Sequence, residues 1–203
     1  MPISDKYKLI FIHIPKNAGT AVTNTLEMTD IGHHNWSYYA KKYPNKWNEY
    51  KKISIVRNPW DRVVSCYEYA KMEESYWHSS KGGARAGKHL DYDLLKDKSF
   101  NECLQILKKE PNKLRHQGWS NQINYISNGQ KIMVDYVIKI EDLNKELSNI
   151  IGKKIEIPKI NKSNNNKYQD YYTNEEMVEI IKNHYSVDVE SFNFNFNESN
   201  SNR

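Results

Sequence analysis

The sequence predicts an α/β fold, a single domain in which a parallel sheet is flanked by helices. Three observations carry this expectation. Short apolar runs rich in β-formers stand at residues 9–14, 53–56 and 134–138. Segments with apolar residues at helical spacing separate them. Parallel strands need crossover connections, and strands alternating with helices supply them. With 203 residues the chain supports one sizeable core and is short for two.

Taken in order, residues 9–14 read as a buried strand that stops at Pro15. A helix follows over 20–28, with Val22 and Leu26 one turn apart on its inner face. Residues 29–50 read as irregular, with the pair His33-His34 and the aromatics Trp36, Tyr38, Tyr39, Tyr43 and Trp47; Pro44 is expected to break any helix there. The second strand, 53–56, runs into Arg57-Asn58-Pro59, and Pro59 suits a helix's first turn, where no N–H donor is needed. Val63, Val64 and Tyr67 give that helix its inner stripe. Residues 73–98, with Gly82-Gly83, Gly87 and many charges, read as a mobile excursion.

Residues 99–109 place Phe100, Cys103, Leu104 and Leu107 at helical spacing, and Pro111 closes that helix. A short helix over 119–126, a third strand at 134–138 and a helix over 141–151 ended by Gly152 follow. An asparagine-rich loop occupies 158–170, and Glu175 and Glu176 suit the positive end of a helix over 174–185. The domain is expected to span 1–192, with 193–203 as a frayed tail.

Composition narrows the function classes. Net charge is +5, which fits either a mildly basic surface or an anionic ligand. Nucleic acid is an unfavoured partner, because no Lys/Arg block alternates with aromatics and no finger, RNP or helix-turn-helix signature appears. Cys66 and Cys103 fall on separate predicted helices without ligand spacing, which disfavours a disulfide framework and a zinc site. The first residues carry no apolar signal segment and no run reaches the length of a membrane span. The expectation is a soluble, cytoplasmic protein with no membrane partner.

Two constellations carry chemistry. The first is Pro15-Lys16-Asn17-Ala18-Gly19-Thr20, a polar loop between a strand and a helix, where backbone N–H groups can gather around an anion. It is not a Walker A loop, since the lysine precedes the glycine and no Gly-Lys-Ser/Thr ending follows. The second puts Arg57 at the C-terminal end of a strand, where ligands bind in open α/β sheets, with Ser65 in the following helix. A guanidinium and a hydroxyl suit one phosphate, the guanidinium bidentately. The plainer reading pairs Arg57 with Asp61 and lets Ser65 bond its own helix.

These residues resemble the sulfotransferases that use 3′-phosphoadenosine 5′-phosphosulfate (PAPS). The loop 15–20 is similar to that family's 5′-phosphosulfate loop, and Arg57, Arg62, Ser65 and Tyr67 are similar to its 3′-phosphate motif. The likeness continues through Trp119-Ser120-Asn121-Gln122, Glu141-Asp142-Leu143, Asn161-Lys162-Ser163 and Tyr171-Tyr172-Thr173. It is nearest the carbohydrate branch, which includes heparan sulfate and uronyl 2-O-sulfotransferases.

The resemblance implies a P-loop-like sulfotransferase fold, PAPS as cosubstrate, no metal, and a saccharide or other small molecule as acceptor. It implies that Lys16 supports the oxygen bridging nucleotide and sulfuryl group. Pro15, Asn17, Ala18, Gly19 and Thr20 belong to the 5′-phosphate loop, Arg57 and Ser65 take the 3′-phosphate, and Lys162, on a loop that closes over the nucleotide in relatives, is a candidate phosphate contact. Gln122 and Trp119 are candidates for the wall of the nucleotide or acceptor site.

Transfer to a hydroxyl needs a base, and histidine is the usual choice near neutral pH. His13 falls in a strand, His78 and His89 flank the excursion, and His184 lies on a late helix. His33 and His34 remain, in an irregular stretch between the motifs, and His34 is the first choice because relatives place a catalytic histidine at a comparable interval before the arginine. Glu27 and Glu141 are the alternatives. Two other functions stay open: a P-loop-like kinase, which lacks its lysine-serine/threonine ending and an evident aspartate pair for magnesium, and a non-catalytic module for adenosine bisphosphate or a sulfated glycan.

Overall fold

The computed structural model describes residues 2–29, 32–73, 89–158 and 167–197. In chain order the elements begin with β1 (Ile3–Ser4), β2 (Leu9–Ile12), α1 (Gly19–Thr25), α2 (Trp36–Lys42), α3 (Pro44–Glu49) and β3 (Lys51–Val56). Next come α4 (Pro59–Lys71), α5 (Tyr92–Leu95), α6 (Phe100–Lys109) and α7 (Ile123–Ile126). The chain continues with β4 (Tyr136–Lys139), α8 (Leu143–Ile151), α9 (Glu175–His184) and α10 (Ser186–Ser191). They group into two compact units, one from residues 1–57, 120–162 and 197–203, the other from 58–119 and 163–196.

The first unit holds the whole sheet, in the order β1-β2-β3-β4. The β2–β3 and β3–β4 pairs are parallel, with Phe11 opposite Ile53 and Ile55 opposite Ile138; the short β1 adds an antiparallel edge. This is the α/β architecture predicted, with helices on a mostly parallel sheet. Its core joins Leu9, Phe11, Ile53, Ile55 and Ile138 from the strands to Val22 and Leu26 around α1 and to Leu143 and Leu147 of α8. Burying each such side chain is worth roughly 1.5–3 kcal/mol. Gly152 ends α8 in the left-handed conformation, as its sequence position implies.

Residues 29–50 differ from expectation. Asn35 accepts from the Tyr38 N–H and starts α2, and Pro44 occupies the first turn of α3. Proline breaks a helix interior but suits a start, so here it separates two helices and opens the second.

The second unit is helical. Asn58 caps α4 and Pro59 takes its first turn; Ser99 and Glu102 form a capping box on α6. Phe100 stands edge-on to Tyr67, Tyr171 and Tyr172 at 5.2, 5.4 and 5.1 Å between ring centroids. Of the expected excursion, residues 74–88 lie outside the described residues, but 89–98 do not form a loose loop: His89, Asp91 and Leu95 are buried and α5 lies among them. Of the expected tail, residues 193–197 are docked, and 198–203 lie outside the described residues. Phe194 is buried, and the Phe196 ring meets Trp60, Tyr168 and Tyr172 while its carbonyl accepts from the Tyr168 hydroxyl at 2.6 Å. Apolar rings at 192, 194 and 196 dock this segment, a pull that its asparagines conceal.

Among the described residues no helix is long and apolar enough to cross a membrane.

Candidate active site

The loop after β2 is built by long-range hydrogen bonds. Lys16 and Ala18 both have positive φ, 70° and 59°, while Asn17 between them does not. Left-handed backbone costs a non-glycine residue roughly 1–2 kcal/mol, so something must hold it. Asn17 is that anchor. It is 1% exposed, and its Nδ2 donates to the Ile55 carbonyl and to Gln122 Oε1, both at 2.7 Å. Because both partners only accept here, the amide's orientation is fixed. Backbone that alternates in hand in this way turns its N–H groups into a concavity that suits an anion. Ala18, the N-cap of α1, makes no side-chain capping hydrogen bond at the helix start.

Gly19 is required by a close approach. A Cβ there would fall 1.8 Å from His13 Nε2, so only glycine lets the buried His13 ring lie against the start of α1.

Arg57, at the end of β3, leans on the same loop. Its Nη1 donates to the Lys16 carbonyl at 3.0 Å. Its backbone is held by one side chain: Arg57 N–H donates to Gln122 Oε1, and Gln122 Nε2 donates to the Arg57 carbonyl, each at 2.9 Å. The lysine loop and the arginine strand end are thus brought together. Ser65 lies half-buried on α4, in the second unit. Lys162 lies outside the described residues.

His33 and His34 line an open cavity of about 370 Å³ together with Asn35, Ser120, Asn124 and Tyr125. His33 Nδ1 lies 3.1 Å from the His13 carbonyl, and its ring meets the His13 ring edge-on at 4.3 Å. A carbonyl can only accept, so Nδ1 carries the proton and the imidazole lone pair belongs to Nε2. His34 stacks flat on Tyr38, with centroids 3.8 Å apart and planes within 9°. The six lining residues carry imidazole, amide, hydroxyl and phenol groups and no carboxylate or ammonium.

Glu27 is exposed beyond the C-terminal end of α1, with a 3.7 Å ion pair to Lys6, so it sits at the helix end remote from the loop. Glu141 occupies the turn Ile140–Asp142. Trp119 is core of the second unit, its Nε1 donating to Asp91 Oδ2 at 2.9 Å. Gln122 is not an open wall either: it is 0% exposed and tied to both constellations. Sequence reasoning missed this, because an isolated buried amide leaves no periodic trace. His13, set apart as a strand residue, is buried against Gly19.

Among the described residues, no three His, Cys, Asp or Glu side chains gather as a metal site. Compared with known proteins, residues 1–195 match the model of the sulfotransferase family. No curated protein matches the chain significantly.

Proposed function

The chain belongs to the sulfotransferase family, and from that premise we propose that it transfers a sulfuryl group from PAPS to a hydroxyl of a saccharide or another small acceptor. The observation that carries this reading is the Arg57 guanidinium held on the Lys16 carbonyl, which sets two cationic side chains at one left-handed loop. The residues suit such a nucleotide: a loop with positive φ at Lys16 and Ala18, a helix N-terminus without a side-chain cap, a lysine and an arginine. PAPS supplies the activated sulfuryl group when bound.

Sulfuryl transfer, like phosphoryl transfer, asks a protein mainly for positioning and charge stabilisation. Lys16 Nζ stabilises the charge that grows on the departing bridge oxygen. The N–H groups of residues 17–20 and the Thr20 hydroxyl hold the 5′-phosphate, and Arg57 takes the 3′-phosphate. Ser65 enters this reading through the motif alone.

For the base, the hydrogen-bond pattern supports His33 ahead of His34. His33 has its proton directed to the His13 carbonyl at Nδ1, which puts the basic lone pair on Nε2, the nitrogen that in this reading takes the acceptor's proton. The same carbonyl then steadies the imidazolium. His34 has its ring face committed to Tyr38. The neutral polar lining of the cavity beside both suits a hydroxylated acceptor.

Calorimetric titration tests the nucleotide. The reading expects 3′,5′-adenosine bisphosphate to bind without added metal and ATP to give no heat; ATP binding in its place overturns it. Consumption of PAPS on adding acceptors then separates an enzyme from a binding module.

A further inference from the structure

Neither constellation contains Gln122, yet the structure ties both to it. We infer that Gln122 is the positioning residue that sets the separation between the Lys16 loop and Arg57, and so favours nucleotides carrying phosphate at both the 3′ and 5′ positions. The inference rests on the PAPS reading above.

A fully buried amide is costly unless its polar atoms are paired. In Gln122, Oε1 accepts from Asn17 Nδ2 at 2.7 Å and from the Arg57 N–H at 2.9 Å, and Nε2 donates to the Arg57 carbonyl at 2.9 Å. Asn17 uses its other amide hydrogen on the Ile55 carbonyl, one residue before the end of β3. Arg57 closes the ring by donating Nη1 to the Lys16 carbonyl. The circuit runs from the loop through Gln122 to the strand end and back. It needs a planar head that accepts twice and donates once. A carboxylate lacks the donor, a thioether lacks both functions, and an asparagine is one methylene short.

Gln122 therefore acts through Asn17 and Arg57. A ligand held by the loop alone is indifferent to the spacing between them. A ligand spanning both phosphate positions is not.

The experiment titrates adenosine 3′,5′-bisphosphate and adenosine 5′-monophosphate into wild type, Gln122→Met and Gln122→Glu, with thermal melts to confirm folding. Gln122→Met is expected to weaken the bisphosphate about 10–100-fold, the scale of losing one or two buried hydrogen bonds, and the monophosphate less than about 3-fold. Gln122→Glu adds a readout that a merely structural role does not move. As pH falls from about 8 to 5.5, the buried introduced carboxyl takes up a proton, regains a donor for the Arg57 carbonyl, and bisphosphate affinity recovers relative to wild type at the same pH. The thioether variant shows no such recovery. Equal weakening of both nucleotides, or a carboxyl variant with no pH recovery, overturns the inference. If wild type itself fails to bind the bisphosphate, the PAPS reading falls first; if wild type binds it and the variants bind it equally well, only the role of Gln122 falls.

Discussion

Two histidine pairs in this molecule look alike and differ in chemistry. His33 meets His13 with ring centroids 4.3 Å apart, and His89 meets His116 at 4.4 Å. In the first pair, His33 directs Nδ1 at a carbonyl, so its lone pair lies on Nε2, and His33 is one of the residues that line a polar cavity. In the second, Nδ1 of each ring accepts a backbone N–H, from Asp91 to His89 at 3.1 Å and from Gly118 to His116 at 3.0 Å. Those lone pairs are spent on the fold. The Asp91 carboxylate beside them accepts the N–H groups of Arg115 and His116 and the Trp119 indole, at 2.8, 3.1 and 2.9 Å. The partner that Nδ1 finds decides where each lone pair goes: against a carbonyl it stays on Nε2, and against an N–H it is spent on the fold.

The comparison separates chemistry from stability, and variants should separate likewise. The largest effect is expected on the first side, at Lys16→Ala, with kcat lowered by about 10²–10³ as for loss of a donor at a developing charge. The melting temperature should stay near wild type; kcat within about tenfold would remove Lys16 from the chemistry. Asp91→Asn is expected to act on the other side. It turns an amide NH₂ toward N–H donors and should cost about 1–3 kcal/mol of stability, read by denaturant unfolding, with kcat of the folded enzyme unchanged.

Gly19→Ala sharpens the first side, because it pushes a methyl into the His13 ring and should lower stability by about 1–3 kcal/mol as an overpacking change. Substitution by alanine at Gly129, where a Cβ meets nothing within 4 Å, provides the contrast in space, though its φ of 89° adds backbone strain. The smallest effect concerns Cys103. Burial pushes its thiol up to about 12, so it stays protonated at neutral pH and should resist alkylation in the native protein while reacting on unfolding.

Much of the frame was legible in the residues. The three parallel strands announced themselves as β-rich apolar runs while the two-residue β1 did not, and Pro59 and Gly152 marked helix ends by chemistry that is local. That Lys16 and Arg57 both stand where a strand ends was legible too; the hydrogen bond from Arg57 to the Lys16 carbonyl was not. What escaped reading is held by contacts between residues distant in sequence. Asn17 and Gln122 are separated by 105 residues and joined by one hydrogen bond. His33 Nδ1 meets the His13 carbonyl, 20 residues earlier, and on that contact rests the proposed preference for His33. Pro44 misled because the same ring that ends one helix begins the next.

The most direct test of the account is single-turnover transfer from PAPS in two matched variants, His33→Asn and His89→Asn. The asparagine amide at position 33 keeps a donor for the His13 carbonyl and deletes the basic nitrogen; at position 89 its carbonyl keeps an acceptor for the Asp91 N–H. The account predicts that His33→Asn slows transfer at least about 100-fold, with bisphosphate affinity within about threefold of wild type and loss of the rate's rise with pH across the imidazole range of about 5 to 8. His89→Asn should transfer at close to the wild-type rate. Equal rates in the two variants, or a pH profile that survives His33→Asn, would contradict it.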